Sequence, residues 1–326
     1  MGIGHRAAPA RKRVRPPISF ERFVYSLTVT TRSPTVQSDG NVSDKCGTMG
    51  ALKEIQLNSV SAPVEFMVRT GVTPVALVKE AGQGPDERTG TTEEREVVIH
   101  DARPIADQLD LDRQGFELRH YETAVQDFYD DDEVRRIYYP EMEKLIIEVT
   151  GAEKVVVFDH TIRVEDEKKQ VALKVRAPVR SMHNDFTIRS APQRVRDLLP
   201  AEEAEARLNK RYGSINVWRP IKSPVENKPL AICDYDGISD RDLIAAERQY
   251  PDGRFGGIYH LAYNPRQRWY YFPRMERDEV VLLKCFDSLT DGTARWTAHG
   301  TFDDPNRPPD AKRRESIEIR TLLFFD

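Results

Sequence analysis

The sequence predicts a mainly β protein with flanking helices, built on a double-stranded β-helix, or jelly-roll, core. Three observations carry that expectation. From residue 213 onward, short β-branched and aromatic runs are separated by turn signals such as Asn264-Pro265, Asp291-Gly292 and Asp304-Pro305. Helical spacing is concentrated upstream, in 117–150 and 191–212. Strands and helices do not alternate as a doubly wound parallel sheet requires, and no internal repeat is present.

The elements follow in order. Residues 1–50 are rich in Ser, Thr, Arg, Pro and Gly without a sustained apolar period, so a disordered extension is expected there. A single jelly-roll domain with helical insertions is expected over 51–326. Met49-Gly50 opens the more regular chain and offers an alternative translation start. Val64, Phe66 and Val68 mark a strand within 62–76; 81–94 reads as a loop and 95–100 as a short strand. In 131–147 apolar residues recur at helical spacing (Val134, Ile137, Tyr138, Met142, Leu145, Ile146), Pro140 breaks or kinks the run, and Gly151 ends it. The β-branched run 154–163 is a strand, and 164–180 is charged and loop-like. The helical stretch 191–212 has Pro192 near its start and Pro200 dividing it. The strands expected after it are 214–221, 229–234, 257–263, 268–273, 279–286, 294–299 and 316–325.

Composition narrows the function classes. The chain has 326 residues, 39% hydrophobic and 31% charged, with a formal net charge of −4. That is an ordinary globular balance with no generic nucleic-acid surface. No window approaches the roughly 18–20 apolar residues of a membrane span. Arg6, Arg11, Lys12, Arg13 and Arg15 precede any acidic residue, but the apolar run of a secretory signal is missing, and Pro9, Pro16 and Pro17 oppose a presequence helix. Cys46, Cys233 and Cys285 form no CxxC pair, so a reducing, cytoplasmic setting is expected, with Cys233 and Cys285 as buried small hydrophobes. A small-molecule substrate is the expected partner, without nucleic acid or membrane, and a homodimer is left open.

The sharpest local feature is Met182-His183-Asn184-Asp185-Phe186-Thr187. On an extended strand, His183 and Asp185 point to one face, where an imidazole nitrogen and a carboxylate oxygen can share a metal. A histidine from elsewhere would complete a facial 2-His-1-carboxylate set, which suits Fe(II) with a bidentate co-substrate and O2. The pair alone is a weak signal, since a solvated His and Asp on a surface strand read the same way. His299 is the expected third ligand, because Arg314 and Ser316 follow it as an R-x-S pair able to hold a distal carboxylate. His260, in a strand-like stretch, is the rival third ligand; Arg313 and Arg320 compete with Arg314. His160 reads as a hydrogen-bonded strand histidine. Asn216 and Trp218 share one face of a strand, and Arg219 faces the other way as a candidate structural residue. Tyr270, Tyr271 and Phe272 read as core, and Arg180 as a candidate contact for an anionic substrate.

With these residues assembled, the chain resembles the AsaB-type, gibberellin-desaturase-like hydroxylase/desaturases of fungi, a group broad enough to include the bacterial cephamycin C-7 hydroxylase component. The matching stretches run in the family's order: 157–161 (VFDHT), 183–187 (HNDFT), 215–220 (INVWRP), 269–273 (WYYFP), 286–288 (FDS), 299–302 (HGTF) and 314–317 (RESI). They cover roughly 115–325 and leave out the first ~50 residues. The resemblance implies Fe(II), 2-oxoglutarate and O2 as cofactors, with His183, Asp185 and His299 as ligands and Arg314, Ser316 and Asn216 at the co-substrate. It also implies oxidation of an unactivated C–H bond of a small molecule, by hydroxylation, desaturation or oxidative cyclisation, usually in secondary metabolism. The readings weighed against it are a cupin-like hydrolase or isomerase using the same ligands, a non-catalytic metal-binding protein, and a scaffold acting through the acidic cluster Asp130-Asp131-Asp132. No phosphate-binding glycine loop and no nucleophile elbow is present.

Overall fold

A computed structural model of the chain describes residues 56–326, which lie within one compact unit, Ala51–Asp326. The expected extension over 1–50 lies outside the described residues, as does Cys46. Fifteen strands occur in chain order: β1 (Ser59–Val68), β2 (Val75–Leu77), β3 (Glu87–Arg88), β4 (Thr91–Asp101), β5 (Phe116–His120), β6 (Lys154–Val164), β7 (His183–Asn184) and β8 (Tyr212–Pro220). They continue with β9 (Leu230–Cys233), β10 (Leu243–Gln249), β11 (Phe255–Leu261), β12 (Trp269–Tyr271), β13 (Glu279–Asp287), β14 (His299–Thr301) and β15 (Glu315–Phe324). The helices are α1 (Asp131–Glu133), α2 (Tyr139–Thr150), α3 (Glu167–Leu173), α4 (Ser190–Leu198) and α5 (Ala201–Leu208).

The strands form two sheets, as a jelly roll requires. The large one has the order β1-β4-β12-β9-β14-β7-β11-β10-β2-β3, and the small one β5-β13-β8-β15-β6. Alternation sorts their side chains between layers. Ile232 of β9 and Tyr270 of β12 enter a core shared with Trp218, Leu283 and Phe116 of the small sheet. Their neighbours Cys233, Trp269 and Tyr271 pack on the far face of the large sheet with Phe66 and Ile99. The far face of the small sheet (Ile215, Val217, Ile317, Ile319) is covered by Tyr138, Met142, Leu145 and Ile146. Each such aliphatic side chain taken fully out of water contributes about 1.5–3 kcal/mol. Burial on both sides explains why every residue of β8 and β13 is buried.

Several elements differ from the expectation, each for a local reason. Pro140 does not end the helical run. It is the second residue of α2, and the chain enters α2 from α1 through a π-helical turn, Val134–Tyr138, in which Tyr139 N–H bonds to the Val134 carbonyl; this local change of pairing accommodates the missing N–H. The run starts at Asp130, whose side chain accepts from the Asp132 and Glu133 amides, and ends at Gly151, in the left-handed conformation. The 164–180 stretch holds a helix, α3, because Asp166 caps it by accepting from Lys169 N–H. The segment 294–298 runs without strand pairing, and β14 starts at His299. Residues 87–88 and 91–94, read as loop, form β3 and the start of β4, whose residues 91–100 pair with β1. β5 and β10 were missed: the first merges into helix-like composition, and the second is a mixed charged run, Leu243–Gln249, that pairing with β11 defines.

Candidate metal centre

The short strand β7 is held on both edges. His183 stands opposite His299 of β14 on one side and His260 of β11 on the other. Opposed residues of an antiparallel ladder project from the same face. The three histidines therefore form a row facing the space between the sheets, continued by Ile232, which pairs with His299. Asp185 lies just past the strand end, with Oδ1 3.5 Å from His183 Nε2. One donor atom each from His183, Asp185 and His299 lies within 4.8 Å of the others, and the two imidazole centroids are 4.9 Å apart.

Hydrogen bonds choose which atoms are free. His183 Nδ1 lies 2.9 Å from the Ser181 carbonyl, and His299 Nδ1 lies 3.0 Å from the Thr297 carbonyl. A carbonyl only accepts, so each Nδ1 carries the hydrogen and each Nε2 presents a lone pair to the site. Burial, reinforced by His299, pushes the His183 pKa well below its ordinary value and keeps that ring neutral. Burial alone would raise the Asp185 pKa, but the Arg320 guanidinium holds it well below the usual carboxylate range. Asp185 Oδ2 accepts from Asn216 Nδ2 at 2.7 Å and Arg320 Nε at 3.0 Å, which leaves Oδ1 directed at the histidines. Arg320 is itself fixed by Glu318 at 2.8 Å and the Thr161 hydroxyl at 2.8 Å. Two imidazole nitrogens and one ionised carboxylate are a donor set that fits a ferrous ion.

His260 stays outside this set. Its Nδ1 is 3.4 Å from Ser181 Oγ, and burial, with Arg88 adding to it, lowers its pKa to about 4.

Beside the row lies a second constellation. The buried Arg314, just before β15, donates from Nη1 to the Lys228 carbonyl at 2.6 Å and to Thr301 Oγ1 at 3.2 Å, and its guanidinium sits 5.4 Å from the Trp218 ring centre. Burial, with Arg163 nearby, lowers its pKa to about 9, so it remains charged at neutral pH. Arg314 Nε, Ser316 Oγ and Trp218 Nε1 are buried without hydrogen-bond partners. Unpaired buried donors are rare because each costs about 1–3 kcal/mol. Two N–H groups and a hydroxyl beside a cation fit a carboxylate.

The remaining expectations sort plainly. Arg219 faces the helix side of β8 and donates to Tyr138 Oη and to the Arg277 and Tyr121 carbonyls. His160 Nδ1 is 3.0 Å from Tyr139 Oη. Tyr270, Tyr271 and Phe272 are buried in the cores. Arg180 does not meet the site: it pairs at the surface with Asp303 and Glu94. Arg313 is exposed and pairs with Asp166. Sequence reasoning missed what Arg320 does. The signal was available: 314–320 reads R-x-S-x-E-x-R, and from Ser316 on polar residues alternate with Ile317 and Ile319. It also missed a cleft of about 740 Å³ with Asp185 in its lining, between β6, the β10–β11 hairpin and α4.

A family model described as an oxidoreductase/YMDC permease-like domain matches residues 64–324. The hydroxylase/desaturase efuI of Hormonema carpetanum is 35% identical over 252 residues, which is 71% of this chain and 83% of that protein. The Fe(II)/2-oxoglutarate-dependent dioxygenase nvfI of Aspergillus novofumigatus is 33% identical over 240 residues, covering 70% and 82% respectively. Among solved structures, the iron and alpha-ketoglutarate-dependent endoperoxidase NvfI superposes with a TM-score of 0.73 at 29% identity, over 82% of this chain and 98% of that one.

Proposed function

The chain belongs to the AsaB-type hydroxylase/desaturase family of fungal Fe(II)/2-oxoglutarate-dependent oxygenases, and on that premise we propose that His183, Asp185 and His299 are its iron ligands and that Arg314 and Ser316 receive the distal carboxylate of 2-oxoglutarate. The observation that supports this reading best is the convergence of three donor atoms within 4.8 Å, with both imidazoles locked in the ligating tautomer. When bound, iron, 2-oxoglutarate and O2 supply the oxidant for an unactivated C–H bond of a small molecule.

The side chains have separable tasks. Ser181 and Thr297 carbonyls aim the two imidazoles. Asn216 and Arg320 hold one oxygen of Asp185 and keep it ionised. Arg314 and Ser316 fix the co-substrate from its far end, and Trp218 Nε1 offers a third contact there. The hydrophobic lining of the cleft, including Phe158, Phe186 and Ile258, excludes water and places the substrate carbon. Choice among hydroxylation, desaturation and cyclisation then rests on placement within about an ångström. By analogy with the relatives, the substrate is an intermediate of fungal secondary metabolism. A reducing, cytoplasmic setting is supported by Cys233 and Cys285, which are buried and unpaired. Residues 51–326 serve as the oxygenase domain.

Anaerobic reconstitution tests the reading. Adding 2-oxoglutarate to the Fe(II) protein should produce a visible charge-transfer absorption. The absorption should be missing in His183→Ala, and Arg314→Gln should need at least ~10-fold more 2-oxoglutarate to reach it, one charge-assisted contact being worth about 1.5–3 kcal/mol. An undiminished band in His183→Ala would overturn the ligand assignment, and an unchanged affinity in Arg314→Gln would overturn the co-substrate site.

A further inference from the structure

The metal ligands and co-substrate contacts leave the charge of the cleft unexplained. Six guanidinium groups line it, from Arg163, Arg176, Arg189, Arg194, Arg248 and Arg320, against the carboxylates of Asp159, Asp185, Asp197 and Glu247. Arg320 already has Asp185, Glu318 and Asp159. Asp197 is exposed on α4 and accepts from Gln193. Glu247 is exposed and alternates with Arg248 along β10, so it faces away. Of the other five cations, Arg176 and Arg248 meet a carboxylate from outside the lining, Asp86, at 3.3 Å and 3.8 Å, and Arg163 is drawn to the Glu318 and Asp185 charges. Arg163 donates only to an uncharged acceptor, the Ala177 carbonyl at 2.9 Å. Iron, Asp185, doubly charged 2-oxoglutarate and Arg314 balance one another formally, so loading the centre does not use up this surplus.

Register spreads the surplus over both walls of the cleft. Arg163 pairs with Ser316 across β15 and forms an isolated bridge with Arg176, so these two cations are neighbours on the small-sheet wall. On the opposite wall Arg248 stands across from Gly256 on β11 and Ala76 on β2, which offer no bulk to cover it. It lies four residues from Ile244, which pairs with His260, and so shares the face of the histidine row at about 13 Å along the strand. Burial lowers the Arg163 pKa to about 10, with Arg320 and Arg248 adding to the effect. Like-charged groups held together in this way await an anion.

We infer that the cleft takes a substrate bearing a carboxylate, bound by Arg163, Arg176 and Arg248 with its apolar body along Phe158, Phe186 and Ile258 toward the metal. This rests on the oxygenase reading and adds the substrate class. The volume, about 740 Å³, suits a molecule of one or a few fused rings. A neutral analogue would be buried against this net positive charge without compensating it, which is why discrimination should be large.

The test uses the full chain loaded with Mn(II) and 2-oxoglutarate, with the fluorescent probe 1-naphthylacetate and its isosteric amide. The acid should bind at least ~10-fold more tightly than the amide, and the preference should shrink with added salt. Arg248→Gln and Arg176→Gln should each erase most of that preference while 2-oxoglutarate affinity stays within about twofold. Equal binding of acid and amide, or binding of neither, overturns the inference. So does a loss of 2-oxoglutarate affinity in Arg248→Gln, which would assign these cations to the co-substrate. The comparison of acid with amide in the unsubstituted protein stands even if a variant fails to fold. Absence of the charge-transfer absorption when 2-oxoglutarate is added to the unsubstituted Fe(II) protein would instead count against the oxygenase reading itself.

Discussion

The two faces of β8 and β15 are buried to the same degree and built on opposite principles. Toward α2 the strands present Ile215, Val217, Ile317 and Ile319, all within 1% of complete burial. Toward the metal they present Asn216, Trp218, Ser316, Glu318 and Arg320. The first face meets no unsatisfied polar atom. The second keeps Asn216 Oδ1, Trp218 Nε1 and Ser316 Oγ without partners, and Arg314 Nε beside them. One layer is finished by folding, whereas the other is left with hydrogen-bonding capacity for something that arrives later. Since an orphaned buried group costs about 1–3 kcal/mol, the difference is stability surrendered to the site.

The largest effect should come from Arg320, because it serves both fold and site. Arg320→Met leaves Asp185 and Glu318 buried without their cation. Breaking a buried pair in this way costs about 3 kcal/mol or more. Metal affinity should fall roughly 10–100-fold, as when other groups supporting metal ligands are removed. Urea unfolding and Co(II) titration measure the two effects separately. Unchanged Co(II) affinity would mean that Asn216 alone orients Asp185. Asn216→Ala comes next: it removes the 2.7 Å contact to Asp185 Oδ2, and Co(II) affinity should drop about tenfold with stability nearly intact. On the other face, Ile319→Val should cost about 1 kcal/mol of stability and leave metal and 2-oxoglutarate affinities unaltered. A change in either affinity would show that the two faces are coupled through the strands.

The same contrast explains what the sequence disclosed. The apolar face announces itself through period-two alternation, so most strands after residue 213 were legible, β10 excepted. His183, Asp185 and His299 were legible as residue types, but their meeting depends on β7 lying between β14 and β11, a pairing that a two-residue strand gives no pattern for. His260 was the rival ligand by residue type and strand setting, and it occupies the same row. Only its separation from the Asp185 side of that row, with Ser181 as neighbour, sets it apart. The cleft was illegible for a different reason. Its arginines come from β6, α4, β10, β15 and the segments between β6 and α4, so no window of sequence holds more than two of its walls.

The smallest effect on stability should be the most telling. Ser316→Ala deletes a hydroxyl that is 1% exposed and has no partner. On the apolar face, removing atoms always costs packing. Here the removal also relieves an unsatisfied polar group, so stability should stay within about 0.5 kcal/mol of the parent and tend upward. The KM for 2-oxoglutarate should nevertheless rise about fivefold, the equivalent of one hydrogen bond of about 1 kcal/mol. At a concentration that gives the parent about 2.7 kcal/mol of ligand-induced stabilisation, the variant should gain correspondingly less. Thermal unfolding with and without Mn(II) and 2-oxoglutarate reads both quantities at once. If Ser316→Ala were markedly less stable when unliganded, its hydroxyl would be holding the fold together, and the division of labour between the two faces would fail at the position chosen to represent it.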